Sequence, residues 1–147
     1  MRFTTFRQGH EDRLGLVVGQ DVIDLNKAQP HISADLRTAL RAGQDLAAAA
    51  QAAIASTAAR LPLSGLQLSP LLPEPGKIIC LGLNYFDHAK EGGNARPDYP
   101  SFFLRATPSL TPHGGPIVRP TVSTQLDYEA ELAVIIGRRA KHLTPDN

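Results

Sequence analysis

Over residues 61–77 every hydrophobic periodicity in the chain stops, and prolines stand at Pro62, Pro70, Pro73 and Pro75. Each proline removes a backbone donor and biases its predecessor away from the helical region. No helix and no central strand can run through such a stretch, so it reads as a linker between a small module over 1–70 and a second segment over 71–147. The two sides differ in pattern. Residues 2–6, 14–18 and 21–25 carry strand composition, with the last two joined across Gly19-Gln20, a glycine at a tight connection. Residues 32–61 change to a helical period. Ser33 is a plausible N-cap for a short helix bearing Leu36 and Leu40, and Gly43 is suited to end it in the left-handed conformation. A second helix is expected through 45–61, with Leu46, Ala50, Ala53, Ile54 and Leu61 as a shallow apolar stripe. Beyond the prolines, 78–83 is an apolar run that fits a buried strand, and 102–104 and 131–136 read as further strands with a Pro/Gly-rich turn over 112–116.

The 147 residues suffice for one domain or two small ones, and 15 Lys+Arg against 14 Asp+Glu leave a net charge of +1. With both signs interspersed there is no basic stripe, which argues against nucleic acid and anionic membrane as partners. Cys80 is the single cysteine, so no intramolecular disulfide or multi-cysteine zinc knuckle forms, and the cytoplasm is the default compartment. The first residues hold no signal-peptide core, and no apolar run reaches the roughly 18 residues of a membrane span. The last residues read differently: Thr144, Pro145 and Asp146 are a helix-start signature with no helix after it, which suggests a chain that is part of a longer design.

Three places carry chemistry. In LDYEAELAVIIG, strand alternation would put Glu129 and Glu131 on one side, with Cα atoms about 6.5–7 Å apart. Paired carboxylates of that kind suit a hard divalent cation such as Mg²⁺, Mn²⁺ or Ca²⁺. The same pattern also fits the solvent-facing half of an amphipathic strand. In NYFDHAKEGG, His88 and Glu91 are three apart, so a helical turn would let the carboxylate orient the imidazole as a general base, with Gly92-Gly93 ending the turn. An ordinary exposed pair on a polar loop has the same spacing. In FFLRATPSL, Arg105 leaves an apolar strand where it could meet an anionic substrate or a developing oxyanion, or simply lay its stem on a neighbouring phenylalanine. Cys80, inside an apolar run, reads as a small buried hydrophobe.

Taken in order, KIICLGLNYFDHAKE, PSFFLRATPSL and LDYEAELAVIIGR resemble the fumarylacetoacetate hydrolase family over residues 77–146. The resemblance favours the chemical alternative at both acidic motifs. It implies that Glu129 and Glu131 are ligands of a Mg²⁺-type ion, with Mn²⁺ or Ca²⁺ as alternatives, and that His88 and Glu91 form the base pair of a lid. The implied fold is α+β, a small N-terminal α+β module over 1–70 similar to that of many bacterial members, followed over 71–147 by the first part of a mixed β-sandwich or roll. Two departures stand out. Arg105 occupies a position where lysine is common, and the family's third ligand, an aspartate well after the E-x-E strand, is not reached, Asp146 being too close. The implied activity is hydrolysis, decarboxylation or isomerisation of oxo- or dioxo-carboxylic acids such as acylpyruvates, in which a metal-chelated substrate passes through an enolate, His88 activates water and Arg105 neutralises charge. The implied partners are a small oxo acid and a second copy of the chain, since relatives are typically dimers. The alternative is a non-catalytic chain, or an assembly partner that needs further polypeptide to complete its site.

Overall fold

The computed structural model describes residues 1–95 and 97–146. They form two units, one made of 1–72 with 111–146 and one of 73–110. Together they give an α+β chain.

In the first unit, β1 (Arg2–Gln8), β2 (Glu11–Val18) and β3 (Asp21–Asp24) form an antiparallel meander. Its two connections, Gly9-His10 and Gly19-Gln20, each put a glycine with φ 63° at the first central position, where a side chain would be strained. Alternation then sorts the side chains. Leu14, Leu16 and Ile23 point to one face, where they pack with Leu25, Ile32, Leu36, Ala49, Ala50 and Ala53. On the opposite face Phe6 and Val22 close over Gly15, so tightly that a Cβ there would stand 2.5 Å from Val22 Cγ1 and 3.1 Å from the Phe6 ring.

Three helices cover the first face. α1 (Leu25–Ala28), a single turn that the periodicity did not suggest, starts because Asp24 accepts a hydrogen bond from Lys27 N at 3.1 Å. The same buried carboxylate meets Arg13 Nη2 at 3.1 Å, so its charge is paired where water is excluded. α2 (Leu36–Arg41) is capped by Asp35 rather than Ser33, whose hydroxyl instead accepts from Asp35 N. Gly43, at φ 65°, ends α2 as expected, with Gly43 N bonded to Leu40 O and Gln44 N to Ala39 O. α3 (Leu46–Ala55), capped by Asp45, is shorter than the expected 45–61 helix. Its buried face is Ala49, Ala50 and Ala53, which join the core cluster, while Ile54 is exposed.

The proline stretch, read from sequence as a linker, lies along the sheet over its first part. β4 (Arg60–Pro62) pairs with β3, and β5 (Leu68–Ser69) pairs with β1, so the segment closes both edges of a five-stranded sheet ordered β4-β3-β2-β1-β5. Proline is tolerated there because an edge strand leaves one row of donors unused. Thr5 Oγ1 donates to Leu71 O at 3.1 Å and Ser69 Oγ to Asp12 Oδ1 at 2.8 Å, fastening the returning chain. In the rest of this unit, 111–146, no helix or strand occurs among the described residues, although the turn expected at 112–116 forms, with Gly115 N bonded to Pro112 O.

The second unit is a two-stranded antiparallel ribbon, β6 (Ile78–Gly82) against β7 (Ser101–Arg105), with α4 (Phe86–Glu91) between them in sequence. Both strands are where the sequence put them, but β6 is not buried. Ile79, Leu81, Phe102 and Leu104 share one face, and all four are exposed. Cys80, on the other face, is half-buried. Among the described residues no helix is long and apolar enough to cross a membrane.

Candidate active site

The segment from β6 into α4 is built by short-range rules. The ladder ends on the Gly82–Ser101 pair, the chain turns at Leu83 and Asn84, and Tyr85 enters α4 in an extended conformation without a side-chain cap. Asp87 in the first turn and Lys90 in the last complement the helix dipole. The helix stops at the glycine pair, as its sequence predicts: Gly93, at φ 69°, donates to Lys90 O, and Asn94 N donates to Ala89 O at 2.8 Å. His88 and Glu91 therefore lie three apart on a real helical turn, on one face, and both are exposed.

Beside α4 the second unit has a hollow of about 250 Å³ whose wall includes Leu81, Leu83, Asn84, Phe86, Ala89 and Tyr99. Asn84 and Tyr99 were not singled out from sequence. The available signal was Asn84 inside the NYFDH run, and Asp98-Tyr99 set between Pro97 and Pro100.

Arg105 closes β7 opposite Ile78, at the end of the ribbon away from the Gly82–Ser101 pair that leads into α4. Four rungs at about 3.3 Å each separate those two ends. The ribbon register therefore does not by itself carry Arg105 toward the start of α4.

Glu129 and Glu131 belong to the first unit, whereas His88, Glu91 and Arg105 belong to the second. Both glutamates are exposed. The strand expected over 131–136 is not formed: among the described residues neither sheet takes it in, and a strand exists only as part of a hydrogen-bonded ladder, whatever its composition. The alternation that would set both carboxylates on one face consequently lacks a ladder to enforce it. Among the described residues no group of three or more His, Cys, Asp and Glu side chains is gathered for a metal ion. In kind, two carboxylates suit a hard cation; in number they are a partial set.

Comparison with known proteins places the chain. Residues 77–147 match the fumarylacetoacetate (FAA) hydrolase C-terminal family. The human mitochondrial oxaloacetate tautomerase FAHD2A is 33% identical over 147 residues, covering 97% of this chain and 47% of that protein. An uncharacterized protein of Methanocaldococcus jannaschii is 47% identical over 73 residues, 50% of this chain and 31% of its own. Among solved structures, maleylpyruvate hydrolase from Sphingobium sp. SYK-6, in complex with manganese(II) and pyruvate, superposes with a TM-score of 0.51 at 31% identity, covering 73% of this chain and 38% of that one. The chain thus spans less than half the length of these relatives. With the helical His-x-x-Glu turn, the FFLR strand and the E-x-E segment following in order within the matched region, the chain belongs to the fumarylacetoacetate hydrolase family.

Proposed function

We propose that the protein acts in divalent-metal-dependent chemistry on a small oxo- or dioxo-carboxylic acid, at or beside a C–C bond. The observation that carries this is α4, which sets a histidine and a carboxylate on one face of a helix that begins beside a hollow. In this reading the His88 imidazole takes a proton from water or from a substrate carbon at one ring nitrogen, while the Glu91 carboxylate accepts from the other ring N–H and holds the ring in orientation. Glu129 and Glu131 would hold the cation, which when bound supplies Lewis-acid polarisation of the substrate's oxo group. Arg105, permanently charged, would draw an anionic substrate. A tautomerase and a hydrolase of oxo acids among the relatives support the substrate class while differing in reaction. The single cysteine supports a reducing compartment such as the cytoplasm, and a homodimer is the proposed assembly.

The test is to incubate the protein with Mn²⁺ or Mg²⁺ and follow the enol absorbance of oxaloacetate and the cleavage of an acylpyruvate. Metal-dependent turnover of either supports the reading, and inertness toward both after loading overturns it for this chain. A second reading, in which the ligand set is completed by another polypeptide, is favoured by the absence among the described residues of a third gathered ligand. It predicts tight metal binding only in the presence of that partner.

A further inference from the structure

Only two non-glycine residues among those described have a positive φ, Leu83 at 52° and His142 at 54°. A leucine there is disfavoured because its Cβ crowds the following carbonyl oxygen, and such residues persist where the surroundings over-determine them. Leu83 does not lack an alternative. Gly82, directly before it, would adopt the left-handed region freely, yet it remains the last rung of the ladder, opposite Ser101. Nor is glycine needed at position 82 for space, since a Cβ there would meet Ser101 atoms only at 3.7–3.9 Å, ordinary contact. The turn therefore falls on the residue that resists it.

Two consequences follow from that placement. The ribbon keeps its full length before the chain reverses, and Leu83 joins Leu81, Phe86, Ala89 and Tyr99 in the wall of the hollow. α4 begins three residues later, and its N-cap residue Tyr85 makes no side-chain capping hydrogen bond. The Leu83 turn stands before one end of the helix and the glycine cap at the other.

We propose that Leu83 is a positioning residue, whose left-handed backbone sets the departure of α4 from the ribbon and so holds His88 and Glu91 in place. The consequence for catalysis rests on the reading of His88 as the base.

Three variants separate backbone from side chain. Leu83→Asn favours the left-handed region but loses the apolar group, Leu83→Gly allows that region without favouring it, and Leu83→Val opposes it. Helical Cα chemical shifts over 86–91 are expected to stay near wild type in Leu83→Asn, and to lose roughly half or more of their size in Leu83→Val, because a six-residue helix has little stability of its own. Leu83→Gly should fall between, with β1–β3 shifts unchanged in all three. Equal shifts in all variants, or Asn as damaging as Val, overturn the proposal. On oxo-acid turnover, loss in Leu83→Val with recovery in Leu83→Asn supports it; full turnover in Leu83→Val beside an inactive His88→Ala overturns it. Full turnover in His88→Ala overturns the base reading instead, and the shifts then decide Leu83 alone.

Discussion

Asp35 accepts hydrogen bonds from Arg37 N, from Thr38 N at 2.9 Å and from the Thr38 hydroxyl at 2.6 Å. Partial burial acts to raise its carboxyl pKa, but the Thr38 and Arg37 hydrogen bonds and the Arg37 charge outweigh it and hold the group below the usual carboxylate value. A folded value below the unfolded one stabilises the fold above the unfolded pKa, about 3.9, and the gain is lost as pH falls through the lower folded value. Asp35→Ala is accordingly expected to cost about 0.5–2 kcal/mol at neutral pH, with the gap to wild type closing as acid unfolding is followed below about pH 4. Glu129 and Glu131 are of another kind, exposed acids outside any ladder. If they are the cation's ligands, Glu129→Gln or Glu131→Gln weakens Mn²⁺ binding in calorimetric titration, and unchanged affinity in both ends that assignment. His88→Ala is expected to leave the same titration nearly intact while lowering turnover about 10²–10⁴-fold, the usual worth of a general base. Of the proposed site, the residue types and the turn carrying His88 and Glu91 were legible, because i,i+3 spacing and a glycine stop are local rules. The mutual placement of the two glutamates was not, because it depends on a partner strand.

At the scale of elements, the meander shows how far local chemistry reaches. Hairpin glycines and period-two alternation set β1 to β3, and Asp24, Asp35 and Asp45 each start a helix by accepting backbone N–H groups. Gly15 adds a packing constraint that composition hides. Its missing Cβ leaves room for Val22 and Phe6, both fully buried, so Gly15→Ala should destabilise the first unit by about 1–3 kcal/mol, whereas Gly65→Ala, with nothing within 4 Å, should stay near wild type. Denaturant unfolding of the pair checks this, and equal midpoints would show that the sheet yields to the methyl group. The edge strands β4 and β5 escaped the sequence reading for a related reason. Prolines announce an interruption of regular structure, but whether an interrupted segment drifts or lies along a sheet is decided by which edges stand open nearby.

On the scale of the molecule, apolar surface is unevenly covered. The meander and its helices bury Phe6, Leu14, Leu16, Ile23 and Leu25 almost completely, whereas in the second unit Ile79 is 58%, Phe102 63% and Leu104 72% exposed. A two-stranded ribbon with such a face has marginal stability by itself, and contiguous apolar surface of this kind promotes association. The chain is expected to bind a hydrophobic dye and to self-associate at micromolar concentration in sedimentation, with Phe102→Thr plus Leu104→Lys reducing both. A sharp monomer that binds no dye would show that these faces are covered in solution. The sequence by itself determined the strands of the meander, the glycine stops of α2 and α4, the β6 and β7 segments, the turn that carries His88 and Glu91, and the family. All of these follow from spacing, turn residues or ordered motifs, which act over a few residues. Only the tertiary structure decided that the proline stretch seals both sheet edges, that the alanine face rather than Ile54 packs inward, that a leucine takes the left-handed turn, and that 131–136 has no ladder among the described residues. Each of these depends on what lies alongside a segment in space, and a backbone donor, a methyl group or a strained φ keeps its place only through neighbours that sequence spacing does not specify.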